Sequence, residues 1–167
     1  MTNLCVNLCG YLKEMLKDEA THLTLSVIAG VLIGALTGNY WAIAWAIGSG
    51  FLIDVDHLFD YLLFKKFKNL NLKEFFSGTF FDKSGKVILP LHGYEYGVVL
   101  IILGLVYINF NWLYLALGVS LIFHLIYDTI SNKPSWPTYF VFYRLFYRFD
   151  HNDFDFKKGK KDPVAKD

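Results

Sequence analysis

Two pairs of uncharged apolar runs organise this chain. Leu23 to Leu36 carries no charge, Thr37-Gly38-Asn39 is a turn signal, and Tyr40 to Ile53 is again uncharged. Farther on, Tyr96 to Ile108 is apolar, Asn109-Phe110-Asn111 makes the turn, and Trp112 to Tyr127 is apolar apart from His124. The expected fold is all-α: four transmembrane helices in two helical hairpins. Each run falls short of the ~20 residues that span a bilayer core. The helices must therefore extend past their polar ends, the second through Asp54, Asp56 and His57 into Leu58 to Phe64, the third from near Leu89. Gly30, Gly34, Gly48 and Gly50 would let the helices approach closely.

Amphipathic segments flank the runs. Leu4, Leu8, Tyr11, Leu12, Met15 and Leu16 recur at helical spacing opposite Lys13, Glu14 and Lys17, the pattern of a helix lying in the interface. Residues 136 to 156 alternate aromatics with Arg144, Arg148 and acidic groups, which suits the headgroup level. Residues 1–156 read as one membrane-embedded helical domain, and 157–167, with Lys157, Lys158, Lys160 and Lys161, as a basic disordered tail.

Composition agrees with a membrane class: of 167 residues, 54% are hydrophobic and 19% aromatic, with a mean hydropathy of +0.36. Sixteen basic against 15 acidic residues leave no concentrated basic face for nucleic acid. Residues 1–20 lack the basic start and continuous apolar centre of a secretory signal, so no cleaved leader is expected. None of the Lys and Arg residues lies in 22–64 or 87–132. The positive-inside rule then places both termini and the central connection in the cytoplasm, as in a multi-pass protein of the inner (cytoplasmic) membrane. Cys5 and Cys9, four apart on a short N-terminal helix, read as reduced thiols rather than a disulfide or zinc knuckle.

The ionisable residues inside these runs carry the chemistry. His22 opens the first helix, Asp54, Asp56 and His57 close the second, His92 and Glu95 open the third, and His124 and Asp128 close the fourth. Up-down-up-down topology puts all of them on one side, roughly 18 to 27 Å from the far-side turns at about 1.5 Å per residue. Ionisable groups at membrane depth are expensive and mark function. Asp54 and His57, His92 and Glu95, and His124 and Asp128 each project from one helix face. Imidazole with carboxylate suits zinc, manganese or iron rather than calcium, and the number of candidates admits two or more ions, as in sites that clamp a phosphoryl group. Asp56 points about 200° away from Asp54 on a regular helix. Either the helix loosens there or Asp56 does another job, such as taking a proton from an activated water. Asp60 sits one turn nearer solvent in a supporting role, and His151 reads as surface.

The segments Leu52-Ile53-Asp54-Val55-Asp56-His57 and Phe123-His124-Leu125-Ile126-Tyr127-Asp128-Thr129, preceded by Thr21-His22, resemble the membrane-bound metal-dependent hydrolases of the LexA-binding, inner-membrane-associated type. The likeness covers roughly residues 20 to 150, with Pro134, Trp136, Pro137, Tyr139 and Arg144 supplying the family's Pro-aromatic stretch. Ile53 stands where the family has Pro, and its central histidine motif is thinned to Leu91-His92-Gly93-Tyr94-Glu95, with Glu95 as the replacement for a missing His. The His-x-x-x-Asp step is also similar, more distantly, to zinc-dependent phospholipase C.

The resemblance implies a hydrolase and suggests phosphoester substrates. Ions held by His22, Asp54, His57, His92, Glu95, His124 and Asp128 would activate water against a lipid or lipid-linked phosphoester, with Asp56 as base. Lys133, Arg144 and Arg148 would hold the phosphate. A non-catalytic metal-binding component of membrane transport or assembly is the alternative from another class. A membrane anchor that recruits a soluble partner through residues 65–90 or the C-terminal region is a third.

Overall fold

A computed structural model describes residues 2–76, 79–107, 109, 111–132 and 136–150. Lys133, Pro134, His151 and the tail from 157 to 167 lie outside them, as do the side chains of Cys5 and Cys9. Among the described residues the chain is helical, without strands. In order come α1 (Thr2–Thr37), α2 (Ala42–Gly50), a 3-10 turn (Leu52–Asp54), α3 (Val55–Lys65), α4 (Leu72–Phe76), α5 (Thr79–Ser84), α6 (Tyr94–Val106) and α7 (Asn111–Asn132). A second 3-10 turn (Trp136–Tyr139) and α8 (Val141–Phe146) follow.

Three stretches are long and apolar enough to cross a membrane: Met15–Thr37, Ala42–Lys65 and Asn111–Asn132. The fourth apolar helix, α6, has only 13 residues, about 20 Å at 1.5 Å per residue. It is short because the chain before Tyr94 is pulled out of helical geometry to serve the polar site. Leu89 takes φ +39° and Gly93 is extended, so the expected start near Leu89 moves to Tyr94. At the N-terminus the amphipathic segment expected to lie in the interface is continuous with the first apolar run. Its 36 residues form one helix, α1.

Helices α1, α2 and α7 pack on one another, and α6 packs on α7. Close approach is set by small residues. A Cβ on Gly30 would lie 2.5 Å from Ile43 Cα, and one on Gly50 would collide with the hydroxyls of Ser120 and Ser26. Gly48, by contrast, meets nothing within 4 Å and contributes nothing to packing. Between α1 and α2, Gly38 takes φ +74° and Asn39 Oδ1 accepts from Trp41 N at 3.1 Å, closing the turn. Ile33, Ala42, Ala46 and Ala116 form an apolar layer with Trp112, Leu115 and Val119 against it. The outward faces carry exposed Leu32, Leu36, Trp45, Val99, Ile102 and Ile130, apolar surface suited to lipid.

The second long stretch is not one regular helix. It tightens into the 3-10 turn at Leu52–Asp54 before resuming as α3, and such a turn inside a helix often marks a functional site. Here it leaves the carbonyl of Gly50 without a helical partner, and that carbonyl accepts from His124 Nδ1 at 2.7 Å.

Candidate metal centre

His124 and Asp128 lie one turn apart on α7 and both are buried. Because Nδ1 of His124 donates to Gly50 O, its Nε2 presents a bare lone pair to the interior. His92 is prepared in the same way from a different element. It projects from the turn ahead of α6, not from the helix, and its Nδ1 donates to Asp56 Oδ2 at 2.9 Å. The two Nε2 atoms face each other at 3.1 Å. Two lone pairs at that separation repel unless a proton or a metal cation sits between them.

Carboxylates complete the arrangement. Asp54 Oδ1 stands 3.3 Å from His92 Nε2 and 3.6 Å from His124 Nε2, while Asp128 Oδ2 stands 3.6 Å and 3.2 Å from the same two atoms. Ligands about 2.0–2.2 Å from one tetrahedral ion are separated by roughly 3.3 Å, so the donor atoms are spaced as an ion would space them. The remaining oxygens turn toward α1. Asp128 Oδ1 lies 3.2 Å and Asp54 Oδ2 4.0 Å from His22 Nε2, with Asp18 Oδ2 also at 4.0 Å. Both aspartates therefore present one oxygen to His92 and His124 and the other to His22. The His22 ring stacks on His124 with centroids 3.9 Å apart.

Asp54 Oδ2 and Asp56 Oδ1 are buried without a hydrogen-bond partner. A buried carboxylate oxygen left without a partner carries a desolvation cost, and a divalent cation is a group that removes it. By this test the residues present fit one. Three sets of donor atoms lie close enough to hold an ion: His22, His124 and Asp128; Asp54, His92 and His124; and Asp56, His57 and His92.

Two sequence-predicted residues make contacts that brace the site, and of the two only Asp56 also belongs to a donor set. Asp56, expected as the base, is 2% exposed and sits behind His92, its Oδ2 accepting both from that ring and from Leu91 N at 3.0 Å. It fixes ring orientation and tautomer, as a carboxylate behind a ligating histidine does. Glu95, expected as a ligand, joins none of the donor sets. Its oxygens accept from Val141 N and Phe142 N at 3.0 and 3.1 Å, capping the start of α8.

Arg144 likewise holds no substrate group in this arrangement. It is 1% exposed, and its guanidinium donates to the carbonyls of Ile88 and Leu89, each at 2.8 Å, and to that of His92. Burial draws its pKa down from the ordinary guanidinium value, against the fields of Asp56 and Glu95. Asp60 serves the same loop from the other side, Oδ2 accepting from Ile88 N at 2.8 Å and Leu89 N at 3.1 Å. The turn that presents His92 is thus gripped by Asp56, Asp60 and Arg144. Their long sequence separations hid this from pattern reading. The one available signal was a charged residue, Arg144, within an aromatic stretch. Arg148 is exposed and apart from the cluster.

His57 occupies the border between the cluster and solvent. Its side chain is 34% exposed, Nε2 lies 3.5 Å from Asp54 Oδ1, and its ring meets His92 edge-on at 5.1 Å. Outside it opens a cleft of about 310 Å³ lined by Met15, Asp18, Glu19, Asp54, His57 and phenylalanines of α4 and α5. Behind that wall, Glu74 bridges Lys65 at 2.7 Å and Lys83 at 2.6 Å. Hydrogen bonds from these two lysines hold the Glu74 carboxyl well below the usual range, at about 2. Compared with known protein families, curated proteins and solved structures, the chain matches none.

Proposed function

We propose that this chain is a membrane-embedded metal-dependent hydrolase, with four helices in two hairpins and both termini in the cytoplasm. It cleaves a phosphoester of a lipid or lipid-linked substrate at the cytoplasmic membrane face. The observation that carries the reading is the convergence of His22, His92 and His124 on both oxygens of Asp54 and Asp128, in a buried layer that opens at one cleft. Two divalent ions, zinc first by donor type, would be held by His92, His124, Asp54 and Asp128 and by His22 with the outer oxygens of the same aspartates. Bound there, they supply positive charge for phosphoryl oxygens and acidify a water.

The chain's own residues do the rest. Asp56 keeps the His92 lone pair aimed inward. His57, at the mouth of the cleft, takes the water's proton on Nε2 as the water oxygen bonds to phosphorus. The ester P–O bond breaks, and the same proton passes to the leaving alcohol oxygen. The cleft confines this to substrates reached from the membrane boundary.

The test is elemental analysis of the purified full-length protein joined to hydrolysis assays on phospholipids and polyprenyl phosphates. About two divalent ions per chain with metal-dependent turnover are expected. Bound metal without turnover on any phosphoester returns the protein to metal transport or assembly, and flux into proteoliposomes would establish that.

A further inference from the structure

The cleft outside His57 has two unlike walls. Asp18 and Glu19 of α1 line one, with Met15, and Phe75, Phe76, Phe80 and Phe81 line the other. The rings form a packed set, Phe80 against Phe81 at 4.1 Å and against Phe75 at 6.2 Å. At the bottom lie Asp54 and His57, the edge of the metal centre, and Asp18 Oδ2 reaches within 4.0 Å of His22 Nε2. Among the described residues, no lysine or arginine lines the cleft. Lys65 and Lys83 are turned to Glu74, and Arg144 to backbone carbonyls.

This charge pattern selects among phosphoesters. A headgroup with only negative charge would bring it against two carboxylates with no cation in the wall to offset them. A headgroup that carries an ammonium a short alkyl spacer from its phosphate has the complementary order. Its phosphate meets the ions, its ammonium meets Asp18 and Glu19, and the aromatic faces opposite stabilise the same cation and the adjoining methylenes. We infer that the cleft takes a zwitterionic, amine-bearing phospholipid headgroup, with Asp18 and Glu19 as the residues that select it. This rests on the hydrolase reading above for its chemistry, but its binding claim can be tested apart from turnover.

The experiment uses full-length, zinc-loaded protein in nanodiscs and measures binding of dodecylphosphocholine against dodecyl phosphate. Phosphatidylethanolamine and phosphatidylglycerol vesicles serve as hydrolysis substrates in parallel. The zwitterionic ligand is expected to bind roughly tenfold tighter, about 1.4 kcal/mol. The isosteric pair Asp18→Asn with Glu19→Gln should erase that preference at unchanged zinc content, and Glu19→Gln alone should erase part of it. Equal or tighter binding of dodecyl phosphate by the native chain overturns the inference. So does loss of zinc in the double variant, which would make these carboxylates metal ligands instead. Turnover without headgroup preference removes the inference and leaves the hydrolase. Preference in binding without turnover does the reverse.

Discussion

The apolar layer around Ile33, Ala42, Ala46 and Ala116 and the polar layer around His92, His124, Asp54 and Asp128 share α7, yet are built by opposite rules. In the first, small side chains bring backbones together and every hydroxyl is used: Ser120 donates to Ala46 O at 2.7 Å and Ser49 to Leu117 O at 3.0 Å. In the second, polar donors crowd within 3.1 to 3.6 Å of one another. Buried carboxylate oxygens there are left without partners. A layer that exists for stability satisfies its polar atoms. One that leaves them open is paid for by the rest of the fold and is completed by something from outside.

The contrast breaks most completely at Asp128. On the reading proposed above, Asp128→Asn should abolish metal retention and hydrolysis while the apo protein remains folded, because the substitution removes one charge from a crowded buried site. Elemental analysis and thermal melts of the same preparation check both halves, and a folded variant with full metal content would contradict the assignment.

Asp56→Asn should lower metal affinity by roughly 10–100-fold without removing a ligand, since it loosens the orientation of His92. Competition with a chelator reads the effect. An unchanged affinity would show that the Asp56–His92 hydrogen bond at 2.9 Å plays no part in tuning the ligand.

A substitution in the apolar layer should act the other way. Gly30→Leu forces α1 off α2 at Ile43 and should cost about 1–3 kcal/mol of stability. Chelator competition on the protein that remains folded should give native affinity, because Gly30 lies about two helical turns from His22.

The smallest effect is expected outside both layers. The Glu74 carboxyl sits at about 2, held there by Lys65 and Lys83. Its folded-state pKa is depressed, so its contribution is complete above the unfolded carboxylate value of about 4.3. It is lost as pH falls toward 2. Glu74→Gln should therefore melt earlier than the native chain near neutral pH, with the gap closing on acidification. A gap independent of pH between about 5 and 2 would deny the two ion pairs that role.

Apolar runs interrupted by Gly38 and by Asn109 to Asn111 were enough to identify the helices, and the placement of His22, Asp54, His92, His124 and Asp128 at run ends was enough to bring them to one layer. Periodicity and direction of travel are local properties, and they carry that far. The status of α6 was less legible, because its expected first turn, from Leu89 to Gly93, is recruited by contacts from Asp56, Asp60 and Arg144. Each of those contacts spans between 28 and 55 residues of sequence, and no local pattern announces them.

What the amino-acid order determined by itself is the class of molecule and the donor inventory: apolar helices with imidazoles and carboxylates at one level. Only the tertiary structure decided which of those donors face one another. It assigned Asp56 to the back of His92, Glu95 to the start of α8 and Arg144 to three carbonyls. The reason is physical. A side chain's type fixes which bonds it can make, but in a buried layer each polar group takes the partner that the packing of distant helices brings within reach.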